Sequence, residues 1–364
     1  MRVAFLGTAD FSVPSLSVCA RQAEVVAVIT QPDRAGSRGR PAPRPVADAA
    51  RDLGLSLLQP ERLRDPTTTD AILGLGLDAL VVAAYGQILP ARLLDGVPLG
   101  GINVHASLLP RWRGAAPVAA AILAGDGESG VSIMRMDAGI DTGAVFAMRS
   151  VPVAPDATTP ALTAALADLG AELLGEVLPA IELGEVVAVP QTGEGATHAP
   201  RLTRADAHLD WAVVSAAEAD RRVRALNPWP GVAAELAGAA VHLLEGIAVA
   251  GAPGREATAG QVTGVEAPAP GAVPPGAKSG AEGGGAGLAG GRHGTNHGME
   301  GAAGSGAISG SGDQRPAQPG QVIGVVREGV LVGTREGVYR VDLLKPAGGR
   351  PMTGAAFLRG RRRY

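Results

Sequence analysis

A single cysteine, Cys19, stands among the 364 residues. One thiol cannot form an internal disulfide, which fits a reducing cytoplasm. No apolar run approaches the roughly 18 residues that a membrane span requires. Residues 1–7 are a short apolar stretch ending in glycine, too brief for a signal-peptide core and lacking a convincing cleavage site. The full Gly-x-Gly-x-x-Gly fingerprint is missing after the first strand, so a nicotinamide cofactor is not expected. His293 and His297 have no cysteine or carboxylate cluster beside them, and no metal site is expected. Neither sign of charge dominates: 32 Lys and Arg against 35 Asp and Glu leave a net charge of -3, so any attraction to a polyanion must be local.

What the sequence does contain is an alternation of strand and helix. Residues 3–6, 24–30, 55–58, 79–84 and 102–105 read as strands. Helical stretches fall from about residue 13 and over 45–53, 70–77 and 91–94. The near-continuous apolar run at 24–30 fits a parallel sheet covered on both faces. This pattern predicts a doubly wound, mostly parallel α/β sheet of Rossmann type, with ligands held outside the carboxyl ends of its strands. Residues 131–136 and 145–153 add further strands. Leu162, Leu166, Leu169, Leu173, Val177 and Ile181 then recur at helical spacing and make one long core helix to about residue 182. Residues 186–199 read as a connector ending the first domain.

Chemistry concentrates between residues 101 and 143. Ile102 and Val104 alternate with Asn103 and His105, so a strand would place the carboxamide and the imidazole on one face, about 7 Å apart. Pro110 closes that stretch. Further on, Gly139 and Gly143 bracket Asp141 in a loop tight enough to bring a carboxylate close to another backbone or a ligand. An amide that donates to a developing oxyanion, an imidazole that exchanges a proton and a carboxylate that holds the imidazole together suit acyl-type transfer. An Asn and a His that merely satisfy each other at a strand end are the plainer alternative.

One loop leaves the same sheet edge as Asn103 and His105. Residues 31–45 carry Arg34, Arg38, Arg40 and Arg44 against one acid, Asp33, in a Pro- and Gly-rich stretch. They fit either a solvated surface loop or a basic arm whose guanidinium forks meet phosphates. Residues 81–90 read as a buried strand closed by a turn. Trp112 either caps a pocket or covers the helix starting near Pro117.

Length predicts a second domain. Residues 216–226 read as a helix whose Arg221, Arg222 and Arg224 are phosphate contacts or ordinary solvated charges. Residues 232–249, 321–326, 330–334 and 338–344 supply strands of a small OB-like barrel. Lys345, Arg350, Arg359 and residues 361–363 give a basic end suited to a phosphate backbone, and few aromatics argue for tracking phosphates over stacking on bases. Between the strands, residues 250–319 are Gly, Ala, Pro and Ser with almost no large apolar side chain, a composition that reads as disordered.

The segments His105-Ala-Ser-Leu-Leu-Pro-Arg-Trp-Arg-Gly114 and Asp137-Ala-Gly-Ile-Asp-Thr-Gly143 closely resemble the 10-formyltetrahydrofolate-dependent formyltransferases. Residues 201–206, 209–211 and 225–231 resemble the linker and C-terminal opening of the members that act on methionyl-tRNA. The resemblance implies formyl transfer from 10-formyltetrahydrofolate to initiator methionyl-tRNA, with Asn103, His105 and Asp141 catalytic. It implies folate binding by Gly86, Gln87, Ile88 and Leu89 and by Ser107, Leu108, Leu109 and Pro110. It also implies that Arg34, Arg38, Arg40 and Arg44 grip the tRNA acceptor stem. Implied too are a catalytic domain over 1–189, a linker over 190–206, a tRNA-binding domain over 207–364 interrupted at 250–319, and a cytoplasmic monomer without metal. A formyltransferase acting on a small amine would share the site without needing the arginine loop. A non-catalytic tRNA-binding protein would have no use for the three polar residues together.

Overall fold

The computed structural model describes residues 1–34, 43–249 and 318–361. Arg38, Arg40, Arg362, Arg363 and residues 250–317 of the expected disordered insertion lie outside the described residues.

The first half alternates as the sequence implied: β1 (Arg2–Gly7), α1 (Val13–Gln22), β2 (Glu24–Ile29), α2 (Pro45–Asp52), β3 (Leu57–Leu58), α3 (Pro66–Leu73), β4 (Ala79–Ala83), α4 (Ala91–Asp95) and β5 (Gly101–His105). It continues through β6 (Arg113–Gly114), α5 (Pro117–Ala124), β7 (Glu128–Arg135), β8 (Val145–Pro152), α6 (Thr159–Glu182) and β9 (His198–Ala199). Seven strands form one sheet in the order β3-β2-β1-β4-β5-β7-β8. The first five run parallel, and β7 is antiparallel to both β5 and β8. β4 and β5 are buried at every position, because helices cover both faces and each side chain meets core.

The order reverses at β1, where the chain winds first toward β3 and then back toward β5. The loops after β1, β2 and β4 meet at that point. Thr8 Oγ1 donates to Tyr85 O at 3.0 Å, and Gln31 Nε2 donates to the same carbonyl at 2.9 Å. Such a reversal opens a crevice above the strand ends. α6 lies directly under the site strand: a Cβ on Gly170 would come within 2.8 Å of Val104 Cγ1 on β5, so only glycine allows this approach.

The remainder comprises α7 (Ala216–Leu226), β10 (Val232–Leu236), β11 (Ala239–Val249), β12 (Val322–Val326), β13 (Gly329–Gly333), β14 (Val338–Pro346), β15 (Met352–Thr353) and α8 (Gly354–Arg361). Its sheet is antiparallel in the order β10-β11-β14-β13-β12, with β15 on β14. β11 bends through two register shifts near Glu245. α7 begins in a capping box, Ser215 and Glu218 each satisfying the other's backbone N–H. α8 closes the chain on buried Phe357 and Leu358 and was not foreseen in the sequence.

Buried side chains run continuously from Val104 and Leu166 through Leu226 to Leu243 and Tyr339. Two arginines of α7 join the two parts. Arg221 Nε donates to Leu123 O at 3.0 Å, a carbonyl at the α5 C-terminus. Arg224 Nη1 donates to Ala157 O at 2.9 Å, and its Nε bonds Asp220 Oδ2 at 2.8 Å.

Candidate active site

Asn103 and His105 leave the same face of β5, with side chains 9% and 7% exposed. Asp141 arrives from the loop between β7 and β8. Its Oδ1 lies 3.5 Å from Asn103 Nδ2, and its Oδ2 lies 3.7 Å from His105 Nδ1. The structure therefore brings all three expected catalytic residues together. Both contacts are at the long end of hydrogen-bond and ion-pair range, so the carboxylate is close to the amide and the ring without being fixed by either.

The shortest bond to that carboxylate comes from the backbone. Gly114 N–H donates to Asp141 Oδ2 at 2.8 Å. Gly114 is in β6, paired in parallel with β9, and its φ of 122° is reserved for glycine. A Cβ there would also come within 2.5 Å of Ala199 O. Asp141 adopts a left-handed backbone, φ 53°, and Trp112 does the same at φ 62°. Non-glycine residues hold that conformation only where their surroundings impose it.

Trp112 explains the orientation of His105. The imidazole Nε2 lies 3.0 Å from Trp112 O. A carbonyl only accepts, so Nε2 carries a proton and Nδ1 is the nitrogen that exchanges one on the Asp141 side. Trp112 is in turn fixed from three directions. Its backbone N–H donates to Thr197 Oγ1 at 2.8 Å, its Nε1–H to Asp126 Oδ2 at 2.7 Å, and the Arg111 guanidinium stacks 4.3 Å from its ring centroid. Burial of Asp126 opposes its charge, but the fork from Arg111 and the Trp112 N–H outweigh it and hold the carboxyl below the usual range.

A cavity of about 190 Å³ opens beside Asp141. Gln87, Ile88 and Leu89 form one wall, Met134 and Met136 the floor, and residues 137–141 the other wall. Ile88 and Ile140 stand 64% and 67% exposed at its rim, an apolar entry suited to a flat ring. Gly86 does not line the cavity and packs against Gln31, whose side chain a Cβ would strike.

The other expected folate wall is placed differently. Ser107 Oγ donates to Arg111 O at 2.6 Å, Ser107 O accepts from Ser132 Oγ at 2.7 Å, and Leu109 N–H donates to that hydroxyl at 3.1 Å. Leu109 is buried against Met134 and Val145. Leu108 lines a separate cavity of about 230 Å³ with Trp112 and Asp126. Ser107, Leu108, Leu109 and Pro110 thus do not line the cavity beside Asp141, their polar atoms largely committed to Arg111, to Thr197 and to Ser132 on β7.

At the arginine loop, Arg44 Nη1 bonds Asp33 Oδ2 at 2.9 Å, and Gln59 Nε2 donates to Asp33 Oδ1 at 2.9 Å. Arg44 is therefore engaged at the base of the loop, while Arg34 lies exposed beside it. The hydrogen bond from Arg44 holds the Asp33 carboxyl below its usual range.

Sequence reasoning passed over Gly114, Thr197, Gln191 and the Trp112 carbonyl. Three act through or upon the backbone, which no side-chain pattern encodes. Gln191 sits in a segment that reads as a connector. Among the described residues no cluster of three His, Cys, Asp or Glu could hold a metal ion, and no helix is long and apolar enough to cross a membrane.

Comparison with known proteins places these features. The family described as "Formyl transferase" matches residues 1–178, and "Formyl transferase, C-terminal domain" matches residues 201–273 and 304–362. A methionyl-tRNA formyltransferase of Paracoccus denitrificans (strain Pd 1222) is 48% identical over 258 residues, covering 70% of this chain and 86% of that one. Another, from Heliobacterium modesticaldum (strain ATCC 51547 / Ice1), is 38% identical over 364 residues, covering 100% of this chain and 98% of its own length. Two solved structures share the fold. HypX from Aquifex aeolicus in complex with tetrahydrofolic acid is similar at TM-score 0.56 and 17% identity, over 98% of this chain and 47% of that one. A sugar N-formyltransferase from Shewanella sp FDAARGOS_354 is similar at TM-score 0.53 and 18% identity, over 67% of this chain and 96% of that one. With both parts of the fold matched and one relative aligned along nearly its entire length, the chain belongs to the methionyl-tRNA formyltransferase family.

Proposed function

We infer that the chain transfers the formyl group of 10-formyltetrahydrofolate to the α-amino group of methionine on initiator methionyl-tRNA, acting as a monomer in the cytoplasm. The observation that carries this reading is the convergence of Asn103, His105 and Asp141 beside an apolar cavity, in a chain that is 38% identical end to end to a methionyl-tRNA formyltransferase.

The chemistry follows from those positions. Asn103 Nδ2 donates to the formyl oxygen as negative charge builds there, and His105, its Nε2–H held by Trp112 O, adds a second donor from Nδ1 in its imidazolium form. Asp141 accepts the proton that the attacking amine loses, directly or through one water, and stabilises charge on the imidazole. The new C–N bond forms at the amine, the bond to folate N10 breaks, and N10 takes up a proton. The turn at 86–89 and residues 137–141 hold the pterin, whose amide-like edges suit backbone groups between apolar side chains. Ser107, Leu108, Leu109 and Pro110 support that site from the β7 side. Arg34, Arg38 and Arg40 meet acceptor-stem phosphates, with Arg44 anchoring their loop through Asp33.

The test incubates the protein and 10-formyltetrahydrofolate with methionyl-tRNA, uncharged initiator tRNA or an amino-sugar nucleotide, and measures formylated product by mass spectrometry. Formylmethionine released only from the charged tRNA is the expected result. Product only with the amino sugar, or none at all, overturns the reading.

A further inference from the structure

The stretch between α6 and β9 does more than connect. Gln191 lies in it half-buried, with both ends of its side chain committed. Its Nε2 donates to Asp141 O at 2.8 Å and to Gly143 O at 2.7 Å. Its Oε1 accepts from Arg113 Nε at 3.1 Å and from Arg113 Nη2 at 2.7 Å. Residues 113 and 114 therefore grip the Asp141 loop twice, once through the Gly114 N–H on the carboxylate and once through Arg113 and Gln191 on its backbone.

Asp141 needs such a grip. Its backbone is left-handed, and its contacts with Asn103 and His105 are too long to fix it. On the far side of the loop, Asp137 bonds the Gly139 N–H and the Thr142 hydroxyl, which closes the turn but does not tie it to the rest of the site. The tie comes from β6, itself held by β9, and Gln191 transmits it.

We propose that Gln191 is a positioning residue for formyl transfer, holding Asp141 where its carboxylate can serve His105 and the attacking amine. The proposal rests on the formyl-transfer reading above. Gln191→Ala removes all four bonds. Gln191→Glu keeps an acceptor for Arg113 but loses both donations, because an ionised carboxylate only accepts.

Steady-state kinetics with 10-formyltetrahydrofolate and methionyl-tRNA, paired with amide hydrogen exchange, test it on the full chain. Both variants should lose about 10- to 100-fold in kcat, the scale expected for a misplaced catalytic group, with KM for methionyl-tRNA within about two-fold of wild type. Exchange should quicken at 137–143 and stay unchanged in the strands of the sheet. A Gln191→Glu variant turning over like wild type would overturn the proposal, since the Arg113 contact alone would then suffice. So would a loss carried by KM for methionyl-tRNA, faster exchange throughout the sheet, or unaltered exchange at 137–143. Wild type failing to formylate methionyl-tRNA would overturn the functional reading instead, and the exchange comparison does not depend on the acceptor.

Discussion

Asn103 contributes two amide hydrogens. One points toward Asp141 at a long 3.5 Å, which leaves the group ready to shorten its bonds when charge develops on a substrate oxygen. Removing such a donor costs about 2–4 kcal/mol of transition-state stabilisation. Asn103→Ala should therefore lose about 30- to 1000-fold in kcat with little change in KM, measured by steady-state formylation. A variant within a factor of three of wild type would remove Asn103 from the mechanism. Cys19 makes a contrasting case at the same scale. It is fully buried in the core between α1 and the sheet, and burial pushes its thiol up to about 12. The shift is upward, so the reactive thiolate is scarce below that pH: at pH 8 about one molecule in ten thousand carries it. The native protein should resist a thiol-specific disulfide reagent at pH 8 and react fully in denaturant. Prompt labelling of the folded chain would contradict the burial argument.

At the scale of elements, α7 shows how the same residue types divide into different roles. Arg221, Arg222 and Arg224 are alike in sequence, each open to reading as a phosphate contact or a solvated charge. In the fold, Arg224 has 16% of its side chain exposed, beside an Asp220 with 17%. Arg224→Ala leaves that carboxylate and the Ala157 carbonyl without their donor, so urea unfolding should register a loss of about 2–3 kcal/mol. Arg222 makes one exposed bond, 3.2 Å to His208 O, and Arg222→Ala should shift stability by no more than about 0.5 kcal/mol. Equal losses would mean that partners and burial do not separate the two. The helix itself was fully legible, because a capping box and a run of good helix formers mark its start and course. α3 was read at 70–77 but occupies Pro66–Leu73. Asp65 caps it by accepting from the Thr67 N–H and Pro66 fits its first turn, local signals stronger than the β-branched Thr67-Thr68-Thr69 that argues against helix. α8 was hidden because its arginines drew attention as a basic tail, while Phe357 and Leu358 bury its other side. In the candidate site, the meeting of Asn103, His105 and Asp141 was open to reading because side-chain types suggest it. The roles of the Gly114 N–H and the Trp112 carbonyl were not, since these are main-chain groups and a residue's identity carries no sign of what its main chain bonds.

For the whole molecule, the question is how a chain with net charge -3 attracts a polyanion. Global charge opposes binding weakly, and screening confines its reach to about 10 Å at 0.1 M salt. Local arrangement decides the outcome, and among the described residues many cations already have acidic partners: Arg44 with Asp33, Arg111 with Asp126, Arg149 with Glu176, Arg340 with Asp342. The arginine loop differs, because its only acid, Asp33, is occupied at its base by Arg44 and Gln59. Arg34, Arg38 and Arg40 then have no acid within the loop to compete with phosphate. On this reading Arg38→Ala should raise KM for methionyl-tRNA and lower the slope of log K against log salt by about one, the signature of one lost phosphate contact. KM for 10-formyltetrahydrofolate should not move, since the cavity proposed for it is lined by residues 87–89, Met134, Met136 and residues 137–141, none of them in the arginine loop. Titrating the variant and wild type with methionyl-tRNA between 50 and 200 mM salt separates the outcomes. An unchanged slope would assign tRNA attraction to the arginines of the C-terminal sheet and α8, and equal losses on both substrates would point to a fold disturbed by the substitution.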